Sequence, residues 1–249
     1  MTETVTVREV LDPHDVAVEG FGQMQAAAYF APETLIPSGA IPHLLETASE
    51  PQASTRRNFL VVAERDGEVV GGTLFHWLAD AGSGFSSFLG VDRKLRRQGI
   101  ARRLHAARLS VLDRAASPRA PGVFIDVVSP TRLPADQLVR EHKVGSDSWQ
   151  RRSAFARLGF RQVELRYEQP VGGPNGGPVT VLDLLYCPRE PTRSVPTALV
   201  VATMRAYWSG WLGESAASRY ASELESRASG ASELKLIPPD AGGSHRQTE

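Results

Sequence analysis

Leu89-Gly90-Val91-Asp92-Arg93-Lys94-Leu95-Arg96-Arg97-Gln98-Gly99-Ile100-Ala101 is the stretch on which the fold of this chain turns. Its apolar start closes a strand at Val91 and a basic turn comes next. Helical spacing then opens at Gly99, with Ile100, Leu104, Ala107 and Val111 on one face as far as about Ala116. A helix N-terminus offers unpaired backbone N–H groups and a partial positive charge, and both suit a phosphate. Glycine lets the backbone approach such a group closely, and small Ala101 leaves the first turn uncluttered. Seven of the 28 basic residues lie between Arg93 and Arg108. A solvated helix face is the ordinary source of such a run, and it accounts for Arg102, Arg103 and Arg108. The glycine between strand and helix singles out the loop itself.

Upstream of this stretch, Phe59–Ala63 and Val69–Leu78 flank Asp66-Gly67, a favoured tight-turn pair, and read as a hairpin. Val5, Val7 and Val10 alternate as a first strand. Val18, Phe21, Met24 and Ala28 then mark a helix, and Pro32, Pro37 and Pro42 break the chain before a short second helix near Ile41–Ser49. Downstream, Val123-Phe124-Ile125-Asp126-Val127-Val128 reads as a central strand. The polar connection Ser129–Ser146 exceeds ordinary loop length and suggests a functional insertion or a small extra helix. A helix over Trp149–Leu158 stops at Gly159, and strands are expected over Phe160–Glu168 and Val179–Tyr186. A last helix carries Val200, Met204, Tyr207, Trp208 and Trp211, an aromatic stripe better explained by core packing than by an acceptor pocket. The order gives an α+β fold with a mixed sheet and helices on both faces. It is read as one domain over 1–213, followed by a flexible tail over 214–249 with a helical piece near Ala217–Arg227, because apolar residues there are sparse.

Composition narrows the function. Twenty-eight basic and 28 acidic residues cancel, which argues against nucleic acid or an acidic membrane as partner. The single cysteine, Cys187, excludes an internal disulfide, and no Cys/His cluster has metal-binding spacing. With no signal-like N-terminus and no apolar run long enough for a membrane span, a cytoplasmic location is expected.

The 89–101 stretch resembles the central motif of the GNAT superfamily of acyl-CoA-dependent N-acyltransferases, Gln/Arg-x-x-Gly-x-Gly/Ala after a strand and opening a helix. Arg96, Gly99 and Ala101 match it. Phe155-Ala156-Arg157-Leu158-Gly159-Phe160 is similar to a second superfamily feature, the ending Tyr-x-x-x-Gly-Phe. The element order extends the resemblance over roughly residues 1–190. It implies a GNAT-type mixed central sheet flanked by helices on both faces, with acetyl-CoA as acyl donor. Leu89 and Val91 would meet pantetheine, and Arg96, Arg97, Gln98, Gly99, Ile100 and Ala101 would cradle the pyrophosphate. Phe155 stands at the cofactor-side position where relatives often carry a tyrosine that protonates the departing thiolate. A phenyl ring has no proton to give, so another group acts or none is needed.

Acyl transfer to an amine also needs a base and a stabilised oxyanion, the latter within reach of a backbone N–H near Gly90. Asp126, which interrupts an apolar strand where many relatives carry a glutamate, is the first candidate base; a structural aspartate paired with an arginine is its alternative. His76 and Glu33 come next, against the plainer readings of a hydrogen-bonded strand histidine and a solvated loop glutamate. The resemblance thus implies an N-acetyltransferase acting by direct transfer on the primary amine of a small molecule. A non-catalytic acyl-CoA sensor or partner-binding module on the same fold is the alternative. Oligomeric state is not legible, and a homodimer stays open.

Overall fold

The computed structural model describes residues 4–46 and 55–239. Among the described residues nine strands form a mixed sheet flanked by seven helices, an α+β fold. Contacts gather into two compact units where one domain was expected: residues 1–77, 86–119 and 139–146, and residues 78–85, 120–138 and 147–249.

In the first unit β1 (Thr6–Val10), β2 (Arg56–Arg65), β3 (Glu68–Leu78) and β4 (Ser83–Val91) lie side by side in chain order. β1 runs antiparallel to β2, with Val10 opposite Leu60. β2 and β3 form the expected hairpin, and both turn residues, Asp66 and Gly67, have positive φ, as a tight hairpin turn demands. α1 (Val16–Ala28) starts at Asp15, whose side chain accepts the Ala17 N–H. Its buried Val18, Phe21 and Met24 join Leu60, Val62 and Leu74 in one apolar cluster, together with Ile41 and Leu45 of α2 (Ile41–Glu46). The rest of the second expected helix, 47–49, lies outside the described residues. Adjacent glycines of β3 show that helices cover both faces. A Cβ on Gly71 would meet Leu104 of α3 (Ile100–Ala115) at 3.2 Å, whereas one on Gly72 would strike Phe21 of α1 at 2.5 Å. Neighbouring strand residues point to opposite faces, so the two helices lie on opposite sides of this sheet.

In the second unit the strand order is β5 (Gly122–Val128), β7 (Leu182–Pro188), β6 (Arg161–Val163), β9 (Glu233–Ile237) and β8 (Ser194–Pro196). Each of these strands runs antiparallel to its neighbour. The strand expected over 160–168 is short because the Leu165 N–H bonds the Val163 carbonyl at 2.8 Å, a three-residue turn that diverts the chain. The 129–146 connection holds a helix, α4 (Ala135–Lys143), and α5 (Ser148–Arg157) succeeds it. Asp183 of β7 pins the start of that connection, bonding Arg132 at 2.6 Å and Arg152 of α5 at 2.7 Å.

The tail expected from residue 214 is instead part of this unit. α6 (Thr197–Leu212) packs on α7 (Glu214–Arg227), and β9 pairs with both β6 and β8. Ala217, Leu224, Leu234 and Leu236 are buried beside Val200, Met204 and Trp208. Sparse apolar residues suffice because each falls on an inward position of a helix or a two-residue strand period. Residues 240–249 lie outside the described residues.

Candidate functional site

The loop between β4 and α3 is set by local chemistry. Asp92 accepts the Lys94 N–H at 2.7 Å and starts a single turn over Arg93–Leu95, whose Leu95 is buried. Arg97 and Gly99 then both adopt the left-handed region, at φ +67° and +79°. Such reversals curl backbone N–H groups into a concave arrangement suited to an anion. Gly99 caps α3 without a side-chain partner, and the first bond of the helix runs from the Arg103 N–H to the Gly99 carbonyl at 3.1 Å. The N–H groups of Ile100, Ala101 and Arg102 therefore precede the helical ladder. A Cβ on Gly99 would meet nothing nearer than the Arg102 guanidinium at 3.9 Å, so the space in front of the loop is open. That opening and the donors beside it fit a pyrophosphate.

Upstream, Leu89 is half-buried and Val91 buried, with Val91 directed toward β3 near Gly71. Arg97 and Gln98 are exposed. The Arg96 guanidinium is held by two backbone carbonyls. It donates to the Gly145 carbonyl at 2.8 Å and to the Val91 carbonyl at 3.4 Å. Arg108, expected on the solvated face of α3, is fully buried and donates to Ser86 Oγ at 2.6 Å. Thr73 and Ser86 hydroxyls in turn both donate to the Phe88 carbonyl, at 2.8 and 3.2 Å, so the arginine braces the backbone of β4.

His76, on β3, is fully buried. Asn58 donates through Nδ2 to the Leu44 carbonyl, which fixes its Oδ1 as an acceptor 2.7 Å from His76 Nδ1. Ser87 Oγ lies 2.6 Å from Nε2, and the Arg56 guanidinium lies 3.2 Å from Nδ1. Burial, reinforced by the Arg56 charge, holds the imidazole well below its ordinary value and thus neutral. This is the arrangement of a hydrogen-bonded structural histidine. Glu33 falls in the single turn Pro32–Thr34, and its side chain lies outside the described atoms.

Asp126 and Phe155 belong to the second unit. Asp126 stands in β5 opposite Leu184 and accepts a hydrogen bond from the Tyr167 hydroxyl at 3.1 Å. Burial pushes its carboxyl up to about 6, while the Tyr167 bond and its own backbone N–H pull the other way. No arginine is bonded to it among the described residues; its partner is a phenol, and the Tyr167 ring stacks on Trp208 at 6.4 Å. Sequence reasoning missed Tyr167 because nothing in a spacing of 41 residues announces the contact. Phe155 is buried in α5, its ring edge-on to Phe160 at 5.2 Å.

Residues 27–142 match the family model described as acetyltransferase (GNAT) family. Over those residues the chain is similar to a GNAT acetyltransferase domain. Among solved structures, the GNAT fold here is similar to a protein assigned to the same family from Bacteroides thetaiotaomicron, at 12% identity over 84% of this chain and 98% of that one, with a TM-score of 0.50. A second, from Desulfovibrio desulfuricans, is 14% identical over 74% of this chain and 99% of that one, with a TM-score of 0.49. No curated protein matches the sequence. Among the described residues no cluster of three or more His, Cys, Asp or Glu could hold a metal ion, and no helix is long and apolar enough to cross a membrane.

Proposed function

We propose that this protein transfers an acetyl group from acetyl-CoA directly to the primary amine of a small molecule, with the 96–101 loop holding the pyrophosphate and Asp126 as the base. The observation that carries the donor half is the left-handed pair Arg97 and Gly99 opening α3 onto unobstructed space. The acceptor half is supported by Asp126, a carboxyl raised to about 6 on an otherwise apolar strand. Such a group is largely ionised at pH 7.5, and it is a stronger base toward an alkylammonium than an ordinary carboxylate.

Acetyl-CoA supplies the acyl group as a thioester. Asp126 removes a proton from the acceptor ammonium, and the freed amine attacks the acyl carbon. The new C–N bond forms, the C–S bond breaks, the sulfur departs with the electron pair, and the second proton of the attacking nitrogen passes to solvent or to the departed thiolate. A thiol of pKa about 8.5 leaves as thiolate without prior protonation, which makes Phe155 compatible with turnover. No nucleophile suited to a covalent acyl-enzyme stands out among the described residues; Cys187 is a buried strand thiol. The test is a screen of amine metabolites with acetyl-CoA, read as acetyl-CoA-dependent mass gain and thiol release. Phe155 favours one rival, an acyl-CoA-binding module without turnover. Coenzyme A binding with no amine-dependent thiol release would select that rival.

A further inference from the structure

The 129–146 connection has no assigned task, and its last residues reach the acyl-CoA loop. α4 ends in a pattern that satisfies its own carbonyls: the Gly145 N–H bonds the His142 carbonyl at 2.9 Å, and the Ser146 N–H bonds the Glu141 carbonyl at 3.0 Å. This paired closure needs a left-handed residue just past the helix, which Gly145 provides at φ +64°. Its own carbonyl then faces outward and receives Arg96 Nη1 at 2.8 Å. Arg93 lies against the same turn, close enough that a Cβ on Gly145 would come within 2.4 Å of its Cδ. Two cations of the loop thus sit at the negative end of a helix, the favourable end for positive charge. Arg96 also holds the Val91 carbonyl at 3.4 Å, so one guanidinium ties the end of β4 to the end of α4.

We infer that Arg96 and Gly145 are positioning residues for the donor: the α4 cap is a strut that holds the 96–101 loop in its left-handed, phosphate-ready conformation. This rests on the acyl-CoA reading of that loop. Arg97 occupies a backbone region that non-glycine residues adopt rarely, so the loop needs an outside anchor to stay there. The motif arginine is used as that anchor, through its side chain, and the phosphate is left to backbone N–H groups.

The test compares Arg96→Gln, Gly145→Ala and the double variant for coenzyme A affinity by calorimetry, with hydrogen exchange of the ligand-free proteins. Each single change should weaken coenzyme A about tenfold by loosening the loop. The double variant should be no weaker than the worse single, because both cut one tie. Amides 96–101 should exchange faster in ligand-free Arg96→Gln. If Arg96 instead met phosphate directly, ligand-free exchange would be unchanged and Gly145→Ala would bind normally. Either result, or losses that multiply in the double variant, overturns the strut. Should Gly145→Ala not fold, the exchange of Arg96→Gln decides alone. A wild-type chain that binds no coenzyme A would defeat the acyl-CoA reading, and the exchange experiment would still decide the tie.

Discussion

Asp126 and Tyr167 are 41 residues apart in the chain and 3.1 Å apart in space. A hydrogen bond to a carboxylate favours its charged form, so the phenol offsets part of what burial does to Asp126. Tyr167→Phe should therefore move the acidic limb of kcat/KM from about 6 to higher pH while the donor KM holds. An unmoved limb would remove Asp126 from the profile. Asp126→Asn should lower the rate about 100-fold or more with acetyl-CoA affinity intact, and the deficit should shrink as pH rises and more amine arrives neutral. Stability carries an independent sign. The folded carboxyl titrates above its unfolded value, so between those values the folded chain keeps a proton that the unfolded chain has lost. Stability contributed by this group accordingly falls as pH rises from about 4 to about 6. Asp126→Asn should melt higher than wild type at pH 7.5, by roughly 2–4 °C for each kcal/mol relieved. The two should converge near pH ~3, below both titrations. An Asn variant that unfolds at pH 7.5 would mark the aspartate as structural.

At the scale of elements, the β4–α3 loop puts its whole argument in thirteen consecutive residues, which is why it was legible. Gly99→Val should weaken coenzyme A severely with little change in melting temperature. A β-branched residue resists φ +79° and fills the open space, yet removes no core contact. Calorimetry showing wild-type affinity in the folded variant would sink the loop assignment. The hairpin at Asp66-Gly67 was legible for the same reason of locality, and so was the helix ending at Gly159. What sequence hid was pairing over distance. β6 is only three residues long, because the chain turns aside after Val163. Arg108 read as a surface charge, since helical spacing alone cannot reveal Ser86 beneath it. Arg96 matched a phosphate motif, and its side chain faces a glycine 49 residues later.

The whole chain raises the matter of residues 214–239, whose composition suggested a tail. Leu224, Leu234 and Leu236 are each at most 5% exposed and close the apolar cluster that holds Met204 and Trp208. Burying a leucine stabilises by roughly 1.5–3 kcal/mol, so these three together rival the roughly 5–15 kcal/mol of a whole domain. β9 adds backbone pairing that β6 and β8 would otherwise lack on that side. Truncation after Gly213 should therefore abolish the cooperative melt of the second unit, and with it Asp126 and any catalysis. Leu224→Ala and Leu236→Ala are the milder versions, each expected to lose about 2–5 kcal/mol in denaturant unfolding. Residues 214–239 owe their order to where the leucines fall rather than to how many there are: Leu234 and Leu236 sit two apart on one face of β9, and Lys235 between them is exposed. Exchanging Glu233 with Leu234 and Lys235 with Leu236, so that the same composition points outward, should be as damaging as truncation. A truncated chain melting within a few degrees of the full one would mean that the tail reading was right and that α7 and β9 contribute nothing to the core.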